Sequence, residues 1–349
     1  MTARHLLRFM VLVMGVAAWA ITLEAPAHAH GGGTSATNWL SRVTDAPDLD
    51  GVAWRVEGGD ERLEVRNTSS RPLIVRGYDG EPYLRVGPDG VWGNARSPAT
   101  YLNTDRLAAV DVPARADAEA QPVWQKLSSE PVWIWHDHRV HWMAPEPPPQ
   151  VTEADGKRVT VLDWSVPFRY AGEDRAVRGQ LDWVPAPPFW PWVVAAVVLL
   201  TPIGALGLRS RPRADRWPGL AERPAWLLAG VATLGLLVPA SRLLASADPW
   251  AALIGPVLPA VLLAVLGLMG ARRALRSDYA GFVALGLGSA MVLAGVGLLQ
   301  VPDVLRSQIP AVLPFTVVRI LVACAIAQAL PVLIAAVLGT RLLQPAAEV

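Results

Sequence analysis

Five long apolar stretches, at about 191–208, 225–244, 249–270, 279–300 and 312–339, constrain this chain more than any other feature. Each is long enough for an α-helix to cross ~30 Å of hydrocarbon, where every backbone N–H and C=O must be paired within the segment. Residues 190–341 are therefore expected to form an all-α bundle of five transmembrane helices, with a short tail at 342–349. The composition changes abruptly near Pro185, so the part before it must be a different kind of structure.

The connections orient this bundle. Arg209, Arg211, Arg213, Arg216 and Arg223 crowd the first connection, and Arg272, Arg273 and Arg276 crowd the third. Short arginine-rich loops stay in the cytoplasm. The alternate connections, 245–248 and 301–311, hold one arginine between them, and the tail with Arg341 ends inside. The region before the first helix is thus expected outside the cytoplasm, with the protein in the plasma membrane. Trp190, Trp192 and Trp250 stand where amphipathic rings sit at a headgroup boundary.

The N-terminus carries an export signature. Arg4 and Arg8 precede an apolar run from Phe9 to Leu23, and Ala27-His28-Ala29 supplies the small-x-small pattern that signal peptidase reads. Residues 1–29 are expected to be a signal peptide, so that the mature chain begins at His30; a cut after Ala27 would expose His28 instead.

Residues 30–189 are expected to form an extracytoplasmic all-β domain. Short β-rich runs at Val52–Val56, Arg62–Arg66, Pro72–Arg76, Val132–His138 and Val159–Trp164 alternate with turn signals such as Gly58-Gly59-Asp60, Asp79-Gly80, Pro88-Asp89-Gly90 and Asp155-Gly156. That spacing fits an immunoglobulin-like antiparallel sandwich, with a small Greek-key barrel as the competing architecture. The lone cysteine, Cys324, lies in the last apolar stretch, so the exported domain has no disulfide. Trp54, Trp92, Trp124, Trp133, Trp135, Trp164 and Trp183 are expected to fill its core instead. Residues 30–190 hold 17 Lys plus Arg against 23 Asp plus Glu, a net charge of −6 that discourages nucleic-acid binding.

Apart from His5, the histidines fall into two groups: His28 and His30, and His136, His138 and His141 within Trp133-Ile134-Trp135-His136-Asp137-His138-Arg139-Val140-His141-Trp142-Met143. In a strand His136 and His138 point to one face, where two imidazoles can meet one ion. His141 is out of phase and joins them only if the chain turns or bulges near Arg139. Imidazole suits copper and zinc and thioether suits Cu(I), so Met143 could add a soft ligand, with Asp137 behind the rings. A terminal His30 can chelate through its α-amine and ring together. The metal-free reading has the cluster's histidines hydrogen-bonded to Asp137 and to loop carbonyls, and His30 at the head of a loose Gly31-Gly32-Gly33 leader.

His30 with a distant histidine resembles the histidine brace of secreted copper proteins, the CopC class and copper-dependent polysaccharide monooxygenases; that likeness implies a copper ion. The stretches from Gly80 to Trp92, from Ser97 to Asn103 and from Trp135 to Met143 look like those of uncharacterised actinobacterial membrane proteins, a likeness that implies no activity. His-x-His-x-x-His is similar to metallo-β-lactamase-like hydrolases, but Val140 stands where that pattern has aspartate, and no further histidine follows. No Gly-x-Ser-x-Gly, Walker or His-Glu-x-x-His motif occurs, so an enzyme is not expected.

Within the apolar stretches the polar side chains singled out are Arg319, Gln328 and Cys324, with Arg319 expected to snorkel outward. No histidine lies there, so the bundle reads as an anchor or partner platform. The expected function is extracytoplasmic metal capture, sensing or delivery, of copper or alternatively zinc, through His136, His138, His141, Met143 and His30. A metal-free scaffold contacting another envelope or membrane protein is the rival.

Overall fold

The computed structural model describes residues 35–246 and 249–343. The proposed signal peptide, His28, His30 and the end of the tail lie outside them. The described residues form two compact units, Thr34–Ala186 with Arg306–Gln308, and the remainder.

The first unit is the antiparallel sandwich that the turn signals imply. Its strands are β1 (Trp39–Asp45), β2 (Val52–Glu57), β3 (Arg62–Asn67), β4 (Leu73–Arg76), β5 (Pro82–Gly87), β6 (Gly90–Asn94), β7 (Trp124–Ser128), β8 (Val132–Trp135), β9 (Val159–Tyr170) and β10 (Glu173–Trp183). Two short helices, α1 (Ala99–Leu102) and α2 (Pro149–Glu153), interrupt them. One sheet runs β1-β10-β9-β4-β5-β6-β7 and the other β2-β3-β8. Alternation explains the core: Trp164, Val166 and Phe168 of β9 face inward while Ser165, Pro167 and Arg169 between them are exposed. Gly179 of β10 is glycine because a Cβ there would lie 2.1 Å from the Trp164 ring and 2.2 Å from the Arg42 carbonyl. The indole of Trp164 then donates to Ser41 Oγ at 2.8 Å, which satisfies its one buried polar atom.

Two expectations need correction. The strand expected over Val132–His138 ends at Trp135, because Asp137 pulls the chain into a turn, as shown below. The tryptophans also divide: Trp135 and Trp164 are 4% exposed, and Trp54 and Trp133 pack half-buried against the core. Trp92 and Trp124 instead lie beneath the Arg85 guanidinium, at 5.0 and 6.0 Å, because register brings Arg85, Trp92 and Lys126 side by side on β5, β6 and β7.

In the second unit five helices are long and apolar enough to cross a membrane, the make-up of a multi-pass membrane protein: Trp190–Gly207, Pro218–Ala245, Leu253–Ala274, Tyr279–Val304 and Phe315–Leu342. These first to fifth spans pack through small residues. A Cβ on Gly270 of the third would lie 2.5 Å from the Ala284 carbonyl of the fourth, so the two backbones touch where no side chain intervenes. The fourth span starts at an Asp278 cap, whose carboxylate accepts from Gly281 N at 2.7 Å and pairs with Arg273 at 2.9 Å. It loses α geometry at Leu293–Gly297, a π turn, and at Leu298–Gln300, a 3₁₀ turn.

Candidate functional site

The Leu63↔Trp135 pair is the last that β8 makes with β3, and the chain then turns at once. The carboxylate of Asp137, with no exposed surface, drives that turn. It accepts from Trp135 Nε1 at 2.9 Å, from Arg139 N at 3.1 Å, and from Arg139 Nε and Nη2 at 2.8 and 2.7 Å. Burial alone would raise its pKa, but these charge-assisted bonds outweigh burial and hold Asp137 below the usual carboxylate range. Arg139 also donates to the Arg76 carbonyl at 3.3 Å and covers the Tyr78 ring at 5.0 Å. Asp137 is thus the partner of an arginine and a tryptophan, and not the histidine partner expected.

Each histidine of the turn meets a different backbone carbonyl. His136 Nδ1 donates to Glu61 O at 2.9 Å, His138 Nε2 to Asp105 O at 2.9 Å, and His141 Nε2 to Arg106 O at 2.7 Å. A carbonyl can only accept, so these bonds fix the tautomers and leave the lone pair on His136 Nε2, His138 Nδ1 and His141 Nδ1. The loop-carbonyl half of the metal-free expectation is therefore what forms.

The rings of His138 and His141 are in contact, with centroids 5.6 Å apart and planes at 70°, and Tyr78 stacks on His138 at 5.6 Å. Tyr78 O–H accepts from His138 N at 3.0 Å and donates to Asn103 Oδ1, which ties the turn to the end of α1. His141 is 1% exposed and its Nδ1 has no hydrogen-bond partner. Burial, reinforced by the Arg106 charge, pushes its pKa down to about 3, so the ring is neutral at any physiological pH.

The His136 ring lies 3.9 Å from the Glu61 carboxylate, and burial lowers its pKa. Arg106 joins the two loops by pairing with Asp60 at 2.8 Å and Glu61 at 3.4 Å. Met143 is half-buried just beyond the turn. Among the described residues, no three His, Cys, Asp or Glu side chains converge on a point where one ion could sit. The ring contact that the structure places in this cluster is that of His138 with His141.

Sequence reasoning missed the carbonyls of Glu61, Asp105 and Arg106, since a carbonyl is common to every residue type. It also missed an ion pair inside the bundle. Arg242 of the second span bonds to Asp303 of the fourth and to Gln300 Oε1 at 3.2 Å. Arg319 does not snorkel outward: it is buried, with Nε donating to Val304 O at 3.2 Å. Gln328 and Ser289 close a second polar contact, Ser289 Oγ donating to Gln328 Oε1 at 3.0 Å. Comparison with family models, with curated proteins and with solved structures finds no match to this chain.

Proposed function

We propose that this is a membrane-anchored metal-binding protein of the cell envelope that captures, senses or delivers copper through the turn after β8. The observation that carries this reading is the His138–His141 pair. Each ring is oriented by a carbonyl on one nitrogen, as ligand imidazoles usually are, and His141 Nδ1 is a buried acceptor without a donor. With metal–nitrogen bonds of ~2.0–2.1 Å, two rings sharing an ion have centroids about 6 Å apart. The observed centroids lie 5.6 Å apart.

Two imidazoles make a low-coordinate donor set that suits Cu(I), with Met143 and His30 as further donors and His136 as a neighbour. Zinc, which takes four ligands, is the alternative ion. The β unit would face away from the cytoplasm and the tail would lie inside. The arginine-rich first and third connections support that sidedness. So does Gln308 of the fourth connection, which exchanges backbone bonds of 3.0 and 2.8 Å with Thr37 inside the β unit. A reporter fused after Arg213 should remain cytoplasmic, and one in the 301–311 loop should be exported.

The rival reading is a metal-free envelope scaffold, favoured by the same carbonyl bonds, which clamp the turn to the Glu61 and Asp105–Arg106 loops. Titration of the full-length protein with Cu(I), Cu(II) and Zn(II) separates the two. Stoichiometric uptake supports metal capture, and no uptake at micromolar metal leaves the scaffold.

A further inference from the structure

The first, second and fifth spans enclose an apolar crevice of about 160 Å³. Its walls include Gly204 of the first span and Leu208 just past its end, Leu220 of the second, and Pro331, Ile334 and Leu338 of the fifth. Gly204 brings the first and fifth spans together, since a Cβ there would lie 2.9 Å from Pro331 Cβ. The one side-chain heteroatom in the wall, the Thr201 hydroxyl, donates to the Val197 carbonyl at 2.7 Å, so its proton is not available to a ligand. Leu208 and Ile334 are 50% and 46% exposed, so the crevice is open to the hydrocarbon around the bundle. An apolar cavity of roughly 150 Å³ holds a benzene-sized group, which corresponds to a few methylenes of an acyl chain.

The charge beside this crevice is mostly positive. Arg209 follows the wall residue Leu208 directly, and the connection closes on itself before Leu220. Arg213 and Arg216 exchange backbone bonds of 2.7 and 2.8 Å, and Trp217 Nε1 donates to Ser210 O at 2.9 Å. Arg209, Arg211, Arg213 and Arg216 are all exposed there, and Arg341, three residues beyond Leu338, is exposed as well. Asp215 is the single carboxylate between 209 and 217, 3.9 Å from Arg216.

We propose that the crevice binds one anionic phospholipid of the surrounding bilayer, its acyl chain between the first and fifth spans and its phosphate among these arginines. Apolar chain and negative headgroup on one molecule match an apolar wall that ends in a cluster of guanidinium groups. A neutral lipid would fill the crevice and leave the arginines unanswered.

Native mass spectrometry of the full-length protein in a neutral detergent tests this, with phosphatidylglycerol and phosphatidylcholine of identical chains. One phosphatidylglycerol should be retained per chain, with at least roughly tenfold preference over phosphatidylcholine, since each arginine near a headgroup favours negative charge. The triple variant R209Q/R211Q/R213Q should lose that preference, and A205L, which fills the crevice from an exposed wall position, should lower retention of both lipids. Equal retention of the two lipids by the parent protein overturns the proposal whether or not the variants fold. Undiminished preference in the triple variant also overturns it, as does displacement of the bound lipid by inorganic phosphate alone.

Discussion

The β unit and the helical unit each hold an Asp–Arg pair largely out of solvent, and the surroundings of the two pairs differ. Asp137 and Arg139 are two residues apart, and Trp135, Tyr78 and the Arg76 carbonyl share their remaining bonding capacity. Arg242 and Asp303 come from different spans, with Gln300 as the further partner of Arg242. The first pair shapes a turn and so aims three histidines; the second joins two helices that also pack directly, at Gly235 against Val296. A buried charge is tolerable where its neighbours absorb its lone pairs and protons, and the β unit does so more completely.

Removing a partner should expose that difference most strongly. Asp137→Ala leaves the half-buried Arg139 without its counter-ion and should cost about 2–4 kcal/mol, measured by thermal or denaturant unfolding of the β unit in the full-length protein. A loss below about 1 kcal/mol would show that the turn does not depend on the Asp137–Arg139 pair.

Acid should act next, through His141. Its folded pKa is pushed down to about 3 from an ordinary 6.5, so below pH 6.5 the unfolded chain takes up a proton that the folded ring refuses. The stabilisation is complete above that pH and fades as pH falls toward 3. Between pH 7 and 5 this amounts to about 2 kcal/mol at 1.36 kcal/mol per unit. Unfolding in the presence of a chelator should show that slope in the parent protein and a flatter one in His141→Gln.

Packing gives a comparable but local effect. Gly179→Ala drives a methyl into the Trp164 ring and the Arg42 carbonyl and should cost about 1–3 kcal/mol. The helical pair should give the smallest effect. Arg242→Gln and Asp303→Asn are each expected to destabilise, and the double variant less than their sum, with a coupling of about 1 kcal/mol in a double-mutant cycle. Additive losses would mean that the spans are held by packing alone.

The two units also differ in how much the sequence discloses. All five spans were legible, because a run of apolar residues has one physical use at that length. The second span nevertheless starts at Pro218, seven residues before the expected 225, since Leu220 and Ala221 are buried while Glu222 and Arg223 face outward. Strands β2, β3 and β4 were legible from alternation and turns. The end of β8 was not, because Asp137 sits in an otherwise β-prone run and its effect depends on Arg139 curling back onto it. The histidine cluster was legible as a cluster. Its pairing was not, because that pairing depends on carbonyls of the Glu61 and Asp105–Arg106 loops, which carry no side-chain signal.

The central claim is that His138 and His141 hold a metal ion, and metal-dependent stabilisation tests it most directly. An ion that binds only the folded protein raises stability by about 2.7 kcal/mol at a hundredfold excess over its dissociation constant. Unfolding of the full-length protein with and without Cu(I), and separately Zn(II), should show that gain for the parent and none for His138→Ala/His141→Ala, with His136→Ala retaining most of it. Equal stabilisation of the parent and the double variant, or none in the parent at micromolar metal, would contradict the account and leave the three histidines as clamps on the Glu61 and Asp105–Arg106 loops.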